Sequence, residues 1–96
     1  MNKIIRWNSE KAETLRNDKT RGGISFEDCV IALDMGNLIE IIRNPSANHA
    51  GQRMFVLNIE GYAYVVPFAE TEDEIFLKTV IPSRKYTSLY LGRTKK

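Results

Sequence analysis

The stretch that most restricts the fold is "RMFVLNIEGYAYVVPFA", residues 53–69. Two runs rich in β-branched and aromatic residues are joined by Glu60-Gly61 alone. Such residues suit a pleated, half-buried surface, and a two-residue link ending in glycine is a hairpin signal. A two-residue loop predicts that Ile59 pairs with Tyr62 and Leu57 with Tyr64. Runs of the same kind lie on either side, "LIEIIR" (38–43) and "EIFLKTVI" (74–81). Their connections are "NPSANHAGQ" (44–52) and an acidic turn at 70–73. Successive short connections predict an antiparallel meander of four strands. Pro67 has no N–H to give a ladder, so it marks an edge position or a bulge. Simple alternation along 74–81 sets Phe76, Lys78 and Val80 on one face and Ile75, Leu77, Thr79 and Ile81 on the other. A lysine flanked by apolar residues extends its charge to solvent, which is the expectation for Lys78.

The first 36 residues change period. Asn8 is placed to cap a helix over about 9–18, with Glu10 in its first turn. Its apolar face is thin, mainly Ala12 and Leu15, so Trp7 just before the cap is the expected anchor. Arg21-Gly22-Gly23 breaks the chain. A second helix starts at "SFED", where Ser25 and Asp28 form a variant capping box. Phe26, Cys29, Val30 and Leu33 recur at helical spacing, and Gly36 suits the position after the last turn. Cys29 on that face reads as a small buried hydrophobe. A third helix covers 84–91, with Ser83 as cap and Gly92 as stop. The expectation is a single α+β domain over 1–96: two N-terminal helices, a four-stranded antiparallel sheet and a C-terminal helix, the helices packed on one sheet face.

Several functions are excluded by what is missing. No apolar run approaches the ~18–20 residues that span a bilayer. The N-terminus lacks the apolar core of a signal peptide, so a cytoplasmic location is expected. A lone cysteine rules out an internal disulfide. One His and one Cys, far apart, give no metal-ligand spacing, so no metal or other cofactor is expected. There is no phosphate-cradling glycine loop and no Gly-x-Ser-x-Gly elbow.

What remains is a set of cations and aromatics. Net charge is only +2, but after the acids at 70–74 come Lys78, Arg84, Lys85, Arg93, Lys95 and Lys96. Arg84 and Lys85 fall in the first turn of the last helix, where the helix dipole disfavours a cation by ~0.3–1 kcal/mol. A bound phosphate would relieve that cost, since helix-start N–H groups and guanidinium forks both bind anions. The competing reading is that Arg84 pairs with a carboxylate such as Glu27 or Glu40. Arg53 opens the second strand and could share a sheet end with Arg84. His49, in the polar loop, is the one side chain whose ordinary pKa suits proton transfer near neutrality. Tyr86 and Tyr90, at i and i+4, read as a packing stripe before a base-stacking platform.

Four motifs in order, "RWNSEK", "GISFED", "RMFVLN" and "IPSRKYTSLYL", give the chain a resemblance over about residues 5–91 to the BrnT family of type II toxins, small relatives of the RelE-like ribonucleases. The resemblance implies a RelE-like fold and an RNA-cleaving growth inhibitor. It also implies a cognate antitoxin, DNA-binding and often of the ribbon-helix-helix type, through which alone the chain would meet operator DNA. Trp7, Lys11, Arg53 and Arg84 carry over by position. Gly22 stands where many members have a histidine. In the implied reaction the 2′-OH attacks the adjacent phosphate, which needs charge stabilisation and proton transfer. The assignment is Arg84 and Arg53 on the phosphate with Lys85 supporting, Lys11 or His49 as the proton-transfer group, and Trp7 positioning a base or holding the first helix. A homodimer or a heterotetramer with the antitoxin is the implied assembly, with no membrane partner. The reading of another class is a non-catalytic basic module acting in a transcriptional regulatory complex.

Overall fold

A computed structural model describes residues 3–43 and 52–92. The order is β1 (Ile4–Arg6), α1 (Ser9–Arg16), a short 3-10 turn (Lys19–Arg21), α2 (Phe26–Asp34), β2 (Leu38–Arg43), β3 (Arg53–Ile59), β4 (Tyr62–Glu70), β5 (Glu74–Leu77), β6 (Ile81–Pro82) and α3 (Arg84–Leu91). The fold is α+β with a six-stranded mixed sheet, ordered β1-β5-β4-β3-β2, and β6 pairs with β4. The four expected runs lie antiparallel to their neighbours, while β1 joins parallel to β5. No helix among the described residues is long and apolar enough to cross a membrane.

The local signals explain the elements. Glu60 (φ 55°) and Gly61 (φ 82°) both have positive φ, the primed turn that matches strand twist. Ile59 pairs with Tyr62 and Leu57 with Tyr64, as expected. The Asn8 side chain accepts from the Lys11 N–H at 2.9 Å and starts α1, which ends at Arg16, two residues early. The Asp28 carboxylate accepts from the Ser25 N–H at 2.9 Å, while the Ser25 hydroxyl donates to Glu27. Helix α2 closes with Gly36 at φ 77°: its N–H reaches Leu33 O and the Asn37 N–H reaches Ala32 O, a Schellman pair.

Two expectations are corrected. The run 74–81 is not one strand. Phe68 pairs with Leu77, but Val65 pairs with Ile81, so Val66 and Pro67 face Lys78, Thr79 and Val80. The extra residue is a bulge, and it reverses the alternation. Val80 is buried with Ile75 and Leu77, while Ile81 is exposed with Phe76 and Lys78. Pro67 causes no conflict here. Odd-numbered backbone groups of β4 turn away from β3, as the Ser83 N–H to Ala63 O bond at 2.9 Å shows. The missing Pro67 N–H therefore falls at the break, where the Pro67 carbonyl still accepts from the Lys78 N–H at 2.9 Å.

The helices also do not share one sheet face. Ala12, Leu15, Phe26, Cys29 and Ala32 pack with Phe55, Leu57, Tyr64, Val66 and Phe68 in the main core. Glu40, Val56, Val65 and Ile81 align across the opposite face. Helix α3 crosses there: Thr87 accepts from the Ala63 N–H at 2.8 Å, and the Tyr90 hydroxyl donates to Glu40. Val56, Ala63 and Val65 are buried beneath it. Both faces of β3 and β4 are apolar, and a sheet buried on both faces needs a layer on each side.

Candidate nucleic-acid interface

Arg84 and Lys85 occupy the first two positions of α3 and are both exposed. The Ser83 hydroxyl accepts from the Tyr86 N–H at 3.1 Å. The Thr87 N–H bonds to Ser83 O at 3.1 Å. The backbone N–H groups of Arg84 and Lys85 have no partner among the described residues. Below them, Thr87 is buried and ties α3 to the β4 edge by accepting from Ala63 and donating to Ser83 O at 2.7 Å. The start of α3 is therefore a fixed platform carrying two cations and two open donors.

Neither carboxylate considered as a partner for Arg84 takes that role. Glu27 binds Arg16 at 3.1 Å and the Ser25 hydroxyl at 2.7 Å. These contacts, the Ser25 bond foremost, hold its carboxyl below the usual range. Glu40 accepts from Tyr90, and that bond raises the Tyr90 phenol. Among the described residues the Arg84 side chain makes no ion pair. Lys85 places Nζ 5.3 Å from the Tyr86 ring centre, a cation–π contact. Tyr86 and Tyr90 stack on each other at 5.9 Å, so their facing surfaces are already occupied.

Arg53 stands apart. It pairs with Phe68, five residues along β4 from Ala63, where α3 is tied. At ~3.3 Å per residue, about 16 Å of strand separate it from the start of α3. Its guanidinium binds Glu70 at 2.6 Å and lies 5.6 Å from the Phe68 ring centre. Glu70 also accepts from Lys3 at 2.7 Å, and the two cations lower its carboxyl, with the Lys3 bond first. Glu72, Asp73 and Glu74 follow at the same end of the sheet, adding negative potential where a phosphate would approach.

Trp7 stacks on Phe26 at 5.8 Å and anchors the start of α1, as expected. Lys11 is exposed in the first turn of α1, in the helix layer across the sheet from α3. His49, Arg93, Lys95 and Lys96 lie outside the described residues. Cys29 is fully buried, its thiol pushed up to about 12 by burial first and then by Asp28 and Glu27. Among the described residues no group of His, Cys, Asp and Glu could hold a metal ion.

The described candidates thus fall into separate places: Arg84 and Lys85 at the start of α3, Arg53 at the far end of the hairpin, and Trp7 and Lys11 across the sheet. Sequence reasoning missed Arg43, which pairs directly with Arg53 and sets a second guanidinium on that strand end. Its signal was available, since the two arginines bracket one loop between neighbouring strands. Comparison with family models, with curated proteins and with solved structures finds no match.

Proposed function

We propose that this protein is the toxin component of a type II toxin–antitoxin pair, an RNA-directed growth inhibitor with a RelE-like fold, held in check by a DNA-binding antitoxin. The observation that carries the reading is the start of α3. Among the described residues Arg84 and Lys85 stand exposed beside open N–H donors, and the two carboxylates weighed as partners for Arg84, Glu27 and Glu40, are engaged by other groups. That arrangement suits a phosphate oxygen, which accepts from guanidinium and backbone together and removes the dipole penalty. The element order is in coarse agreement, since two helices, antiparallel strands and a terminal helix follow one another as the resemblance implies, with β1 added ahead of them in parallel pairing. In this reading Arg84 contacts the scissile phosphate, Lys85 adds charge, and the proton-transfer group comes from the substrate complex or from His49.

A second reading has its own observation. Arg53 is held by Glu70 and lies far along the hairpin from Arg84, an arrangement that favours a reading in which Arg84 acts without it. A basic module that binds without cleaving, within a transcriptional complex, needs only the α3 platform. Induction of wild type and Arg84→Ala at matched soluble expression, with RNA ends mapped, separates the two. Growth arrest with cleavage that Arg84→Ala abolishes supports the toxin. A stable antitoxin complex that binds operator DNA, with no cleavage above the Arg84→Ala background, supports the module.

A further inference from the structure

The core side of the sheet keeps an open cleft. The half-buried side chains of Ile5, Trp7, Val30, Leu33 and Leu38 line a space of about 660 Å³ between α2 and the two edge strands, β1 and β2. That volume holds a small organic ligand, and apolar walls with a few polar groups are what such sites have. Trp7 stacks on Phe26 and also lines the cleft. Two charged residues, Lys3 and Asp34, stand among its lining. Lys3 is countered, since its Nζ donates to Glu70 and to Thr71 O, both at 2.7 Å. Asp34 is exposed and makes no ion pair among the described residues. It is also the last residue of α2, where the helix dipole is negative and no basic residue stands in the last turn. Gly36, which lines the cleft as well, leaves open space beside that helix end.

We propose that this cleft binds a small organic cation, an amine carried on an apolar ring or chain. Charge selects the ligand. A carboxylate at the C-terminal end of a helix meets a dipole of its own sign, and a cation beside it relieves both at once. An anion is repelled at the same place, and a neutral apolar molecule leaves the Asp34 carboxylate without a partner. The walls select the body. Ile5, Trp7, Leu33 and Leu38 are the half-buried fringe of the main core, so a ring laid on them extends that core. Trp7 adds an indole, the ring that attracts a nearby cation most strongly. The cleft lies in the helix layer across the sheet from α3, so it is separate from the phosphate-facing turn at Arg84. It stands on its own observations, whatever Arg84 contacts.

The test is titration of the full chain with 3-phenylpropylamine, followed by amide and indole N–H shifts in NMR. The probes for comparison are 3-phenylpropan-1-ol, the same shape without charge, and 3-phenylpropionate, the same ring with the opposite charge. The amine should move the Trp7 indole N–H and the amides of residues 33–38, with a Kd of about 1 mM or lower, which about ten non-hydrogen atoms can supply. The alcohol should bind at least about fivefold more weakly, and the carboxylate more weakly still. Asp34→Asn keeps the shape and removes the charge that the dipole opposes, so its thermal midpoint should not fall. It should weaken the amine at least about fivefold and leave the alcohol unchanged. No shift at the cleft overturns the proposal. Equal binding of amine and alcohol, or of the amine to wild type and Asp34→Asn, overturns it too, because the cleft then takes any apolar body. Shifts confined to residues 70–74 would place the amine on the acidic turn and also overturn it.

Discussion

The hydroxyl of Thr87 is a buried tie between α3 and the sheet. It is buried and satisfies the Ala63 N–H, a donor that the hairpin phase turns away from β3. Valine has the same shape but no acceptor. Thr87→Val therefore leaves a buried N–H unpaired and should cost about 1–3 kcal/mol, read by urea denaturation. The platform under Arg84 should loosen with it, so amide exchange at residues 84–87 should rise more than elsewhere. Cys29 offers a check on the core. Its thiol is enclosed and raised to about 12, so at pH 8 it is un-ionised in the folded chain. Iodoacetamide should label it at the rate of unfolding, and urea should restore ordinary thiol reactivity. Fast labelling in the native state would contradict the packing of α2.

At the scale of elements, what the sequence made legible was whatever is written within a few residues. Caps at Asn8, Ser25 and Ser83, the Glu60-Gly61 turn and the stops at Gly36 and Gly92 are local chemistry, and each marks an observed boundary. The stop of α2 can be weighed. Gly36 has φ 77° and a Cβ there would meet nothing within 4 Å. Gly36→Ala should then cost about 1 kcal/mol from backbone strain alone, and the thermal midpoint should fall with no change in fold. What was not legible depends on partners distant in sequence. β1 is three residues long and exists because β5, some 70 positions later, accepts it in parallel register. The bulge at 78–80 cannot be read from "EIFLKTVI" by itself. It appears only when Pro67 stands opposite, and one extra residue then moves Val80 into the core and Ile81 out of it. The candidate site divides in the same way. Arg84 was placed by a local cap, but the Arg53–Glu70 pair needed the register of β3 on β4, which carries the two 17 positions apart onto one sheet end.

For the whole molecule, the same pair has a consequence across three strands. Lys3 just before β1, Arg53 at the start of β3 and Glu70 at the end of β4 meet through one carboxylate, at 2.7 Å and 2.6 Å. Glu70 joins the sheet end that the acidic turn would otherwise push apart. Its carboxyl is lowered from 4.5 by both cations. A group whose pKa falls on folding adds stability that is complete above its unfolded value and is lost as pH drops through the folded one. The contribution should therefore be full at pH 7 and disappear below about pH 4.5, in the acid limb of the stability curve. It will be small, because the pair is partly exposed and screened by salt. Glu70→Gln should flatten that limb at low ionic strength, and 1 M salt should reduce the difference from wild type. The variant also separates structure from function. If Arg53 contacts phosphate in the RNA complex, Glu70 competes with that phosphate, and Glu70→Gln should tighten RNA binding while weakening the fold. If Arg53 only closes the sheet end, binding should be unchanged while acid stability falls. Measuring filter-binding affinity and urea midpoints on the same preparations distinguishes the two, and assigns the second arginine independently of Arg84.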